Sequence, residues 1–303
     1  MGYGPSITTD SFKSFKKDRG ISGQSTFKNV YKSSRVKREY LPYNVNRESR
    51  DSVEHPMSTP LIFGLDSTGS MGMVYEIIAK KFETAVIEIF NRQCVPDPQI
   101  MFAAIDDVEA RGIDPLQATQ FEVDNRIAEQ LFDLYFTGCG CGNGFESYQL
   151  LWYFAAMHTK TDCVEKRNKK GVLITVGDDG PQYTLKRDDI KRVFGDTVER
   201  DYNANELLEM VSRQYDVYHI CVEQGSSFRR GDVTKWEELL GNRVITLKDA
   251  NKLPELLVSL LEVNSGNSVN TALQNWDGST QLVVGEALKG LVPANKNNDI
   301  VVF

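Results

Sequence analysis

LIFGLDSTGSMG, residues 61–72, begins as a short apolar run, reaches an acid at Asp66, and turns into a polar loop with two glycines. A run of this length ending in a carboxylate suits a strand buried on both faces. The next stretch, MVYEIIAKKFETAVIEIFNR (73–92), spaces Val74, Ile77, Ile78, Phe82, Val86, Ile89 and Phe90 along one helical face. Within the loop, Asp66, Thr68 and Ser70 alternate, and in an extended turn residues two apart point the same way.

Working outward, the strand pattern recurs in IMFAAID (100–106), GVLITVGD (171–178), YDVYHICV (215–222) and RVITL (243–247). Helical patterns fall between them: NRIAEQLFDLYF (125–136), FESYQLLWYFAAM (145–157), two polar stretches near 187–194 and 203–214, and TKWEELL (234–240). A closing helix, DANKLPELLVSLLEV (249–263), tolerates Pro254 near its first turn. Alternating strands and helices predict an α/β fold: a doubly wound, mainly parallel, Rossmann-like sheet with helices on both faces. The expected organisation is a basic, extended arm over 1–58, a domain over 59–264 and a C-terminal tail over 265–303. The tail holds two apolar runs, QLVV (281–284) and IVVF (300–303), suited to an edge strand or a neighbour contact.

The chain of 303 residues is 41% hydrophobic, enough for a sizeable core. No apolar run reaches bilayer length, and the first twenty residues lack the apolar stretch of a signal peptide. The net charge of −7 is uneven: residues 1–50 carry eleven Lys/Arg against four Asp/Glu, a net +7, so the remainder carries −14. A basic arm therefore precedes an acidic body; it either lies on that body or grips a partner or nucleic acid, and the lack of a repeated basic–aromatic pattern favours the former. Cys94, Cys139, Cys141, Cys163 and Cys221 are odd in number and scattered, which suits reduced thiols in a cytoplasmic protein, or one within a virion if phage-encoded.

In parallel sheets, ligands sit beyond the carboxyl ends of the strands. Two strands end there in acids, at Asp66 and Asp178. One carboxylate and two hydroxyls converging from the 66–70 loop form a hard oxygen set for Mg²⁺, Mn²⁺ or Ca²⁺ rather than zinc. Asp66 and one further carboxylate only just neutralise a divalent ion, which leaves affinity for an incoming carboxylate. The competing structural role is that Thr68 and Ser70 merely cap the helix beginning near Met71.

LDSTGSMG resembles the first metal-binding loop of the von Willebrand factor A family, D-x-S/T-x-S, and LITVGDDGP resembles that family's later strand and turn. Matching Pro181 places Asp178 on the metal; matching Gly180 selects Asp179 instead, and the first alignment is preferred. The resemblance covers roughly 58–264 and is nearest to intracellular microbial and phage members, through TGSMG, AIDD and the Gly-rich N-G-x-E-S loop. It implies a metal-ion-dependent adhesion site and an adaptor or assembly role, often beside an AAA+ ATPase. Many members supply a Thr from the middle loop just before a helix. Here the loop is TGCGCGNGFES, with Thr137 at its far end and Glu146 and Ser147 at the helix start, so Thr137 and Glu146 join the candidate ligands. A ligating Glu146 adds charge and lowers the site's affinity for acids.

Other constellations are weaker. Cys139 and Cys141 with Cys163 and His158 fit no common zinc module, and nothing local supports a catalytic Cys with His55, His158 or His219. Trp152, Tyr153 and Phe154 belong to an apolar helix and suit the core. Asp106 and Asp107 suit turn capping, with an outer contact to the metal site as the sharper alternative. The Gly-rich loop lacks the Lys-Ser/Thr of a phosphate-binding loop. The expected function is thus non-enzymatic: Mg²⁺-dependent binding of a partner's Asp or Glu, without membrane involvement. The alternative is a structural component of a larger particle docked through its terminal arms, the metal only steadying the fold. A metal-dependent phosphohydrolase is a third, weaker reading, because Thr68 stands where a second Asp would act as general acid.

Overall fold

The structure, a computed structural model, describes residues 14, 16–18, 20, 31 and 33–291. After a 3-10 turn at Arg38–Tyr40, strand β1 (Arg47–Ser49) leads to β2 (Thr59–Asp66) and helix α1 (Gly72–Asn91). Then come β3 (Pro98–Ile105), β4 (Leu116–Ala118) and α2 (Arg126–Asp133). The two-residue β5 (Phe145–Glu146) runs into α3 (Tyr148–Met157), and β6 (Thr159–Thr161) into α4 (Asp162–Arg167). β7 (Gly171–Gly177) precedes the small strands β8 (Gly180–Pro181) and β9 (Thr184–Leu185), then α5 (Arg187–Phe194), β10 (Tyr202–Asn203) and α6 (Ala204–Ser212). β11 (Tyr215–Val222), α7 (Arg230–Leu240), β12 (Val244–Leu247) and α8 (Leu253–Asn264) complete the alternation, followed by α9 (Val269–Leu273) and α10 (Gly278–Ala287).

The central sheet has the order β12-β11-β7-β2-β3-β4 and is parallel except for the edge strand β4. From β2 the chain winds outward through β3; from β7, β2's other neighbour, it winds the opposite way through β11 and β12. The winding reverses between β2 and β7, so the connections leaving their carboxyl ends part to opposite directions and open a crevice there. Asp66 ends β2 and Asp178 follows β7 immediately, which puts both acids at that reversal.

Alternation along the strands builds a core on each face. Leu61, Phe63 and Leu65 share one core with α1 and α8, and Ile62, Met101 and Leu173 share the other with α3 and α6. Phe63, Phe82 and Phe102 meet at centroid separations of 5.0–5.9 Å. Burying each ring contributes about 1.5–3 kcal/mol.

The structure moves several boundaries. The 145–157 helix starts only at Tyr148, because Phe145–Glu146 pairs in parallel with Gly180–Pro181. The 125–136 helix stops at Asp133, where Leu134 turns extended. QLVV is not an edge strand but part of α10, with Val284 buried in the core and Leu282 exposed; IVVF lies outside the described residues. The part of the arm nearest the domain is built in. β1 pairs with β6, Arg50 binds Asp162 at 2.8 Å, and Asp51 accepts from Arg167 at 2.7 Å and from the Ser58 hydroxyl at 2.6 Å. Most of the first thirty residues of the arm lie outside the described residues.

Candidate metal centre

Asp66 closes β2 fully buried, and the backbone of Thr68 is extended (φ −80°, ψ 168°) before the 3-10 turn Gly69–Met71 leads into α1. Neither hydroxyl caps that turn or helix. Both point back to the carboxylates. Asp66 Oδ1 accepts from Thr68 N at 2.9 Å and Thr68 Oγ1 at 2.7 Å, Thr68 Oγ1 lies 3.1 Å from Ser70 Oγ, and Ser70 Oγ donates to Asp178 Oδ1 at 2.8 Å.

Four side-chain oxygens thus make three contacts, but the two hydroxyls own only two protons. With both protons given to the carboxylates, Thr68 and Ser70 face each other lone pair to lone pair. A proton on Asp66 or a cation among the oxygens resolves this deficit. Burial, reinforced by the charge of Asp178, raises the Asp66 carboxyl above its ordinary range, and burial also raises Asp178.

The second acid is held from the loop after β11. Ser227 N donates to Asp178 Oδ2 at 2.8 Å, and Ser226 N donates to Ser70 O at 3.3 Å, so this loop forms a wall of the crevice. Asp179 instead stands 3.5 Å from Arg229, and burial pushes its carboxyl up to about 6. Of the two acids, Asp178 is the one joined to Ser70.

Asp66 Oδ2 accepts from Tyr148 OH at 2.8 Å. The Tyr148 ring crosses the end of β7 at Gly177, where a Cβ would stand 1.8 Å from its hydroxyl. Behind it the ring packs edge-on to His219 and Trp236, with centroids 5.0 and 5.4 Å away. Sequence reasoning missed Tyr148 because it sits in an apolar helix, and missed Ser227 because its contribution is a backbone N–H.

The middle loop separates its two candidates. Thr137 turns to Asp106, donating to its Oδ2, and is not joined to Asp66, Ser70 or Asp178. Asp106 also accepts from Ser67 Oγ at 3.2 Å, a contact behind the 66–70 loop, while Asp107 accepts from Glu109 N at 2.8 Å as a turn cap. Ser147 is occupied, its hydroxyl accepting from Val108 N at 3.0 Å. Glu146 stays on the Thr68 side: a Cβ on Gly140 would lie 3.6 Å from both Glu146 Oε1 and Thr68 Cβ. Glu146 is 3% exposed and its Oε2 has no hydrogen-bond partner. Burial and then the charge of Asp66 hold its carboxyl far above the ordinary range.

An orphaned buried carboxylate oxygen and a proton-deficient hydroxyl pair are what a hard divalent cation satisfies. Asp66, Asp178, Thr68 and Ser70 fit such an ion, with Glu146 adjoining. Among the described residues no three His, Cys, Asp or Glu side chains form a ready cation cage. All five cysteines are free: Cys139 and Cys141 are exposed on the glycine loop, and Cys94, Cys163 and Cys221 are buried. His158 is bound to Asp196 at 2.8 Å, and His219 is stacked on Trp236 at 3.8 Å.

No family model and no curated protein matches the chain. Among solved structures it is similar to the pilus adhesin SpaC from Lactobacillus rhamnosus GG in its open conformation. That match has 7% identity and a TM-score of 0.48, over 73% of this chain and 31% of that one. It is also similar to proximal thread matrix protein 1 from the mussel byssus, at 15% identity and a TM-score of 0.44, over 74% of this chain and 49% of that one. A structure of the same mussel protein with a zinc-occupied MIDAS motif matches at 14% identity and a TM-score of 0.42, over 74% and 48%. The chain spans less than half the length of these proteins. No helix among the described residues is long and apolar enough to cross a membrane.

Proposed function

We propose that the chain is a divalent-cation-dependent protein-binding module whose crevice takes an acidic side chain of a partner. Asp66, Asp178, Thr68 and Ser70 hold the ion, Mg²⁺ first among candidates, with Mn²⁺ or Ca²⁺ as substitutes. The bound ion supplies an electrophilic position for a carboxylate oxygen. The observation that carries this reading is the Thr68–Ser70 contact of 3.1 Å between hydroxyls whose protons are already directed to carboxylates.

Binding is proposed over turnover because the walls, segments 66–72, 137–147, 177–181 and 225–229, contain no His and no Lys; their raised carboxyls, Glu146 and Asp179, are the proton donors that a turnover assay with Mg²⁺ and a generic phosphoester checks. Docking through the arms is the second reading. The ion pairs of Arg50 and Asp51 to α4 commit that part of the arm to the chain's own body.

A pull-down from the native host tests the proposal, comparing Mg²⁺ with EDTA, Asp66→Ala, and a chain lacking residues 1–30. Capture lost with EDTA and Asp66→Ala but kept by the truncated chain is the expected outcome. Capture that survives EDTA and Asp66→Ala but fails on truncation rejects it in favour of docking through the arm.

A further inference from the structure

The crevice walls hold one cationic side chain, Arg229, on the loop that also carries Ser227. Its guanidinium stands 3.5 Å from Asp179 Oδ1, and its Nε 3.7 Å from Asp232 Oδ2. These are ion pairs without hydrogen bonds. Asp179 is 7% and Asp232 4% exposed, and both of those oxygens lack a hydrogen-bond partner. Arg229 itself is 58% exposed on its side chain. The guanidinium also rests against the glycine loop. A Cβ on Gly144, whose φ is +82°, would lie 3.1 and 3.2 Å from its two terminal nitrogens. Arg229 thus joins the 137–144 loop to the Asp178–Asp179 turn at the mouth of the crevice, with its donor fork uncommitted among the described residues.

Charge gives this placement a consequence. A divalent ion is neutralised by Asp66 and Asp178 alone, so the loaded crevice keeps little net positive charge for a second acid. A guanidinium at the mouth supplies it, and its planar fork suits a second carboxylate.

We propose that Arg229 is a specificity-determining residue that makes the crevice select an acidic peptide segment with two closely spaced carboxylates, one directed to the ion and one to the guanidinium. This rests on the metal-dependent binding proposed above. The same position predicts opposite effects on the two ligands. Removing the positive charge favours the cation and disfavours the acid, whereas a merely structural Arg229 would weaken both.

The test titrates the full chain with Mg²⁺ alone, then titrates the Mg²⁺-loaded chain with capped pentapeptides holding two acids two residues apart or one acid and one amide. The wild-type chain is expected to bind the two-acid peptide at least tenfold tighter than the one-acid peptide. In Arg229→Gln that ratio falls to within about twofold, while Mg²⁺ binds equally or more tightly. Arg229→Lys, which keeps the charge without the fork, restores only part of the ratio. An unchanged ratio in Arg229→Gln, or Mg²⁺ and peptide weakened together, overturns the role of Arg229 and leaves the metal-dependent reading standing. A wild-type chain that binds no Mg²⁺ overturns both.

Discussion

Tyr148 gives its hydroxyl to Asp66 Oδ2 at 2.8 Å while its ring lies edge-on to His219 and Trp236. It leaves Oδ1 as the Asp66 oxygen that faces Thr68. In Tyr148→Phe the buried Oδ2 loses its partner, which costs about 1.5–3 kcal/mol of metal-free stability. The added Mg²⁺ should then stabilise the variant more than the wild type; paired thermal melts with and without Mg²⁺ check this. His219 offers a separate test. Burial lowers its pKa to about 3, against an ordinary 6.5. Below pH 6.5 the unfolded chain takes a proton that the folded chain refuses until about pH 3. The stability present above pH 6.5 is therefore lost as pH falls toward 3, by about 1.4 kcal/mol per unit. His219→Phe keeps an aromatic ring against Trp236 and removes the proton site. Denaturant melts across this range should show a shallower acid loss in the variant than in the wild type.

The elements were legible where they were long or bounded by charge. β2, β3, β7 and β11 are seven- or eight-residue runs, nearly all buried, and their apolar continuity announces them. β1, β4 and β6 are three residues each, too short for any period to emerge, and they exist because a neighbouring backbone supplies their partners. FES before Tyr148 extends an apolar pattern, so it passed for helix; its pairing with Gly180–Pro181 is a tertiary fact. Asp66 and Asp178 were visible as strand-end acids, whereas the orientation of Thr137 toward Asp106 depends on how the glycine loop folds back over Ser67. The contact of α3 with β7 gives an element-scale prediction. Gly177→Ala drives a methyl into the Tyr148 hydroxyl, 1.8 Å away, and shifts α3 from the strand end. Overpacking of this kind costs about 1–3 kcal/mol or more. Chemical unfolding should show that loss, and Mg²⁺ should bind more weakly because Asp66 moves with Tyr148.

Across the whole molecule, the winding reversal between β2 and β7 collects acids that the fold alone does not neutralise. Asp66 and Glu146 are held above their ordinary values by burial, so their ionised forms oppose folding. That part of the stability is present at low pH and lost as pH rises through the raised folded values, the reverse of His219. A bound divalent ion supplies the same relief at neutral pH. At a hundred times its dissociation constant it stabilises the fold by about 2.7 kcal/mol. A single hard-cation site among Asp66, Thr68, Ser70 and Asp178 is testable without any partner, by Mn²⁺ binding followed with electron paramagnetic resonance. One Mn²⁺ per chain is expected, displaced by Mg²⁺ and lost in Asp178→Asn while that variant still folds. Mn²⁺ bound equally by wild type and Asp178→Asn, or bound by neither, would contradict it.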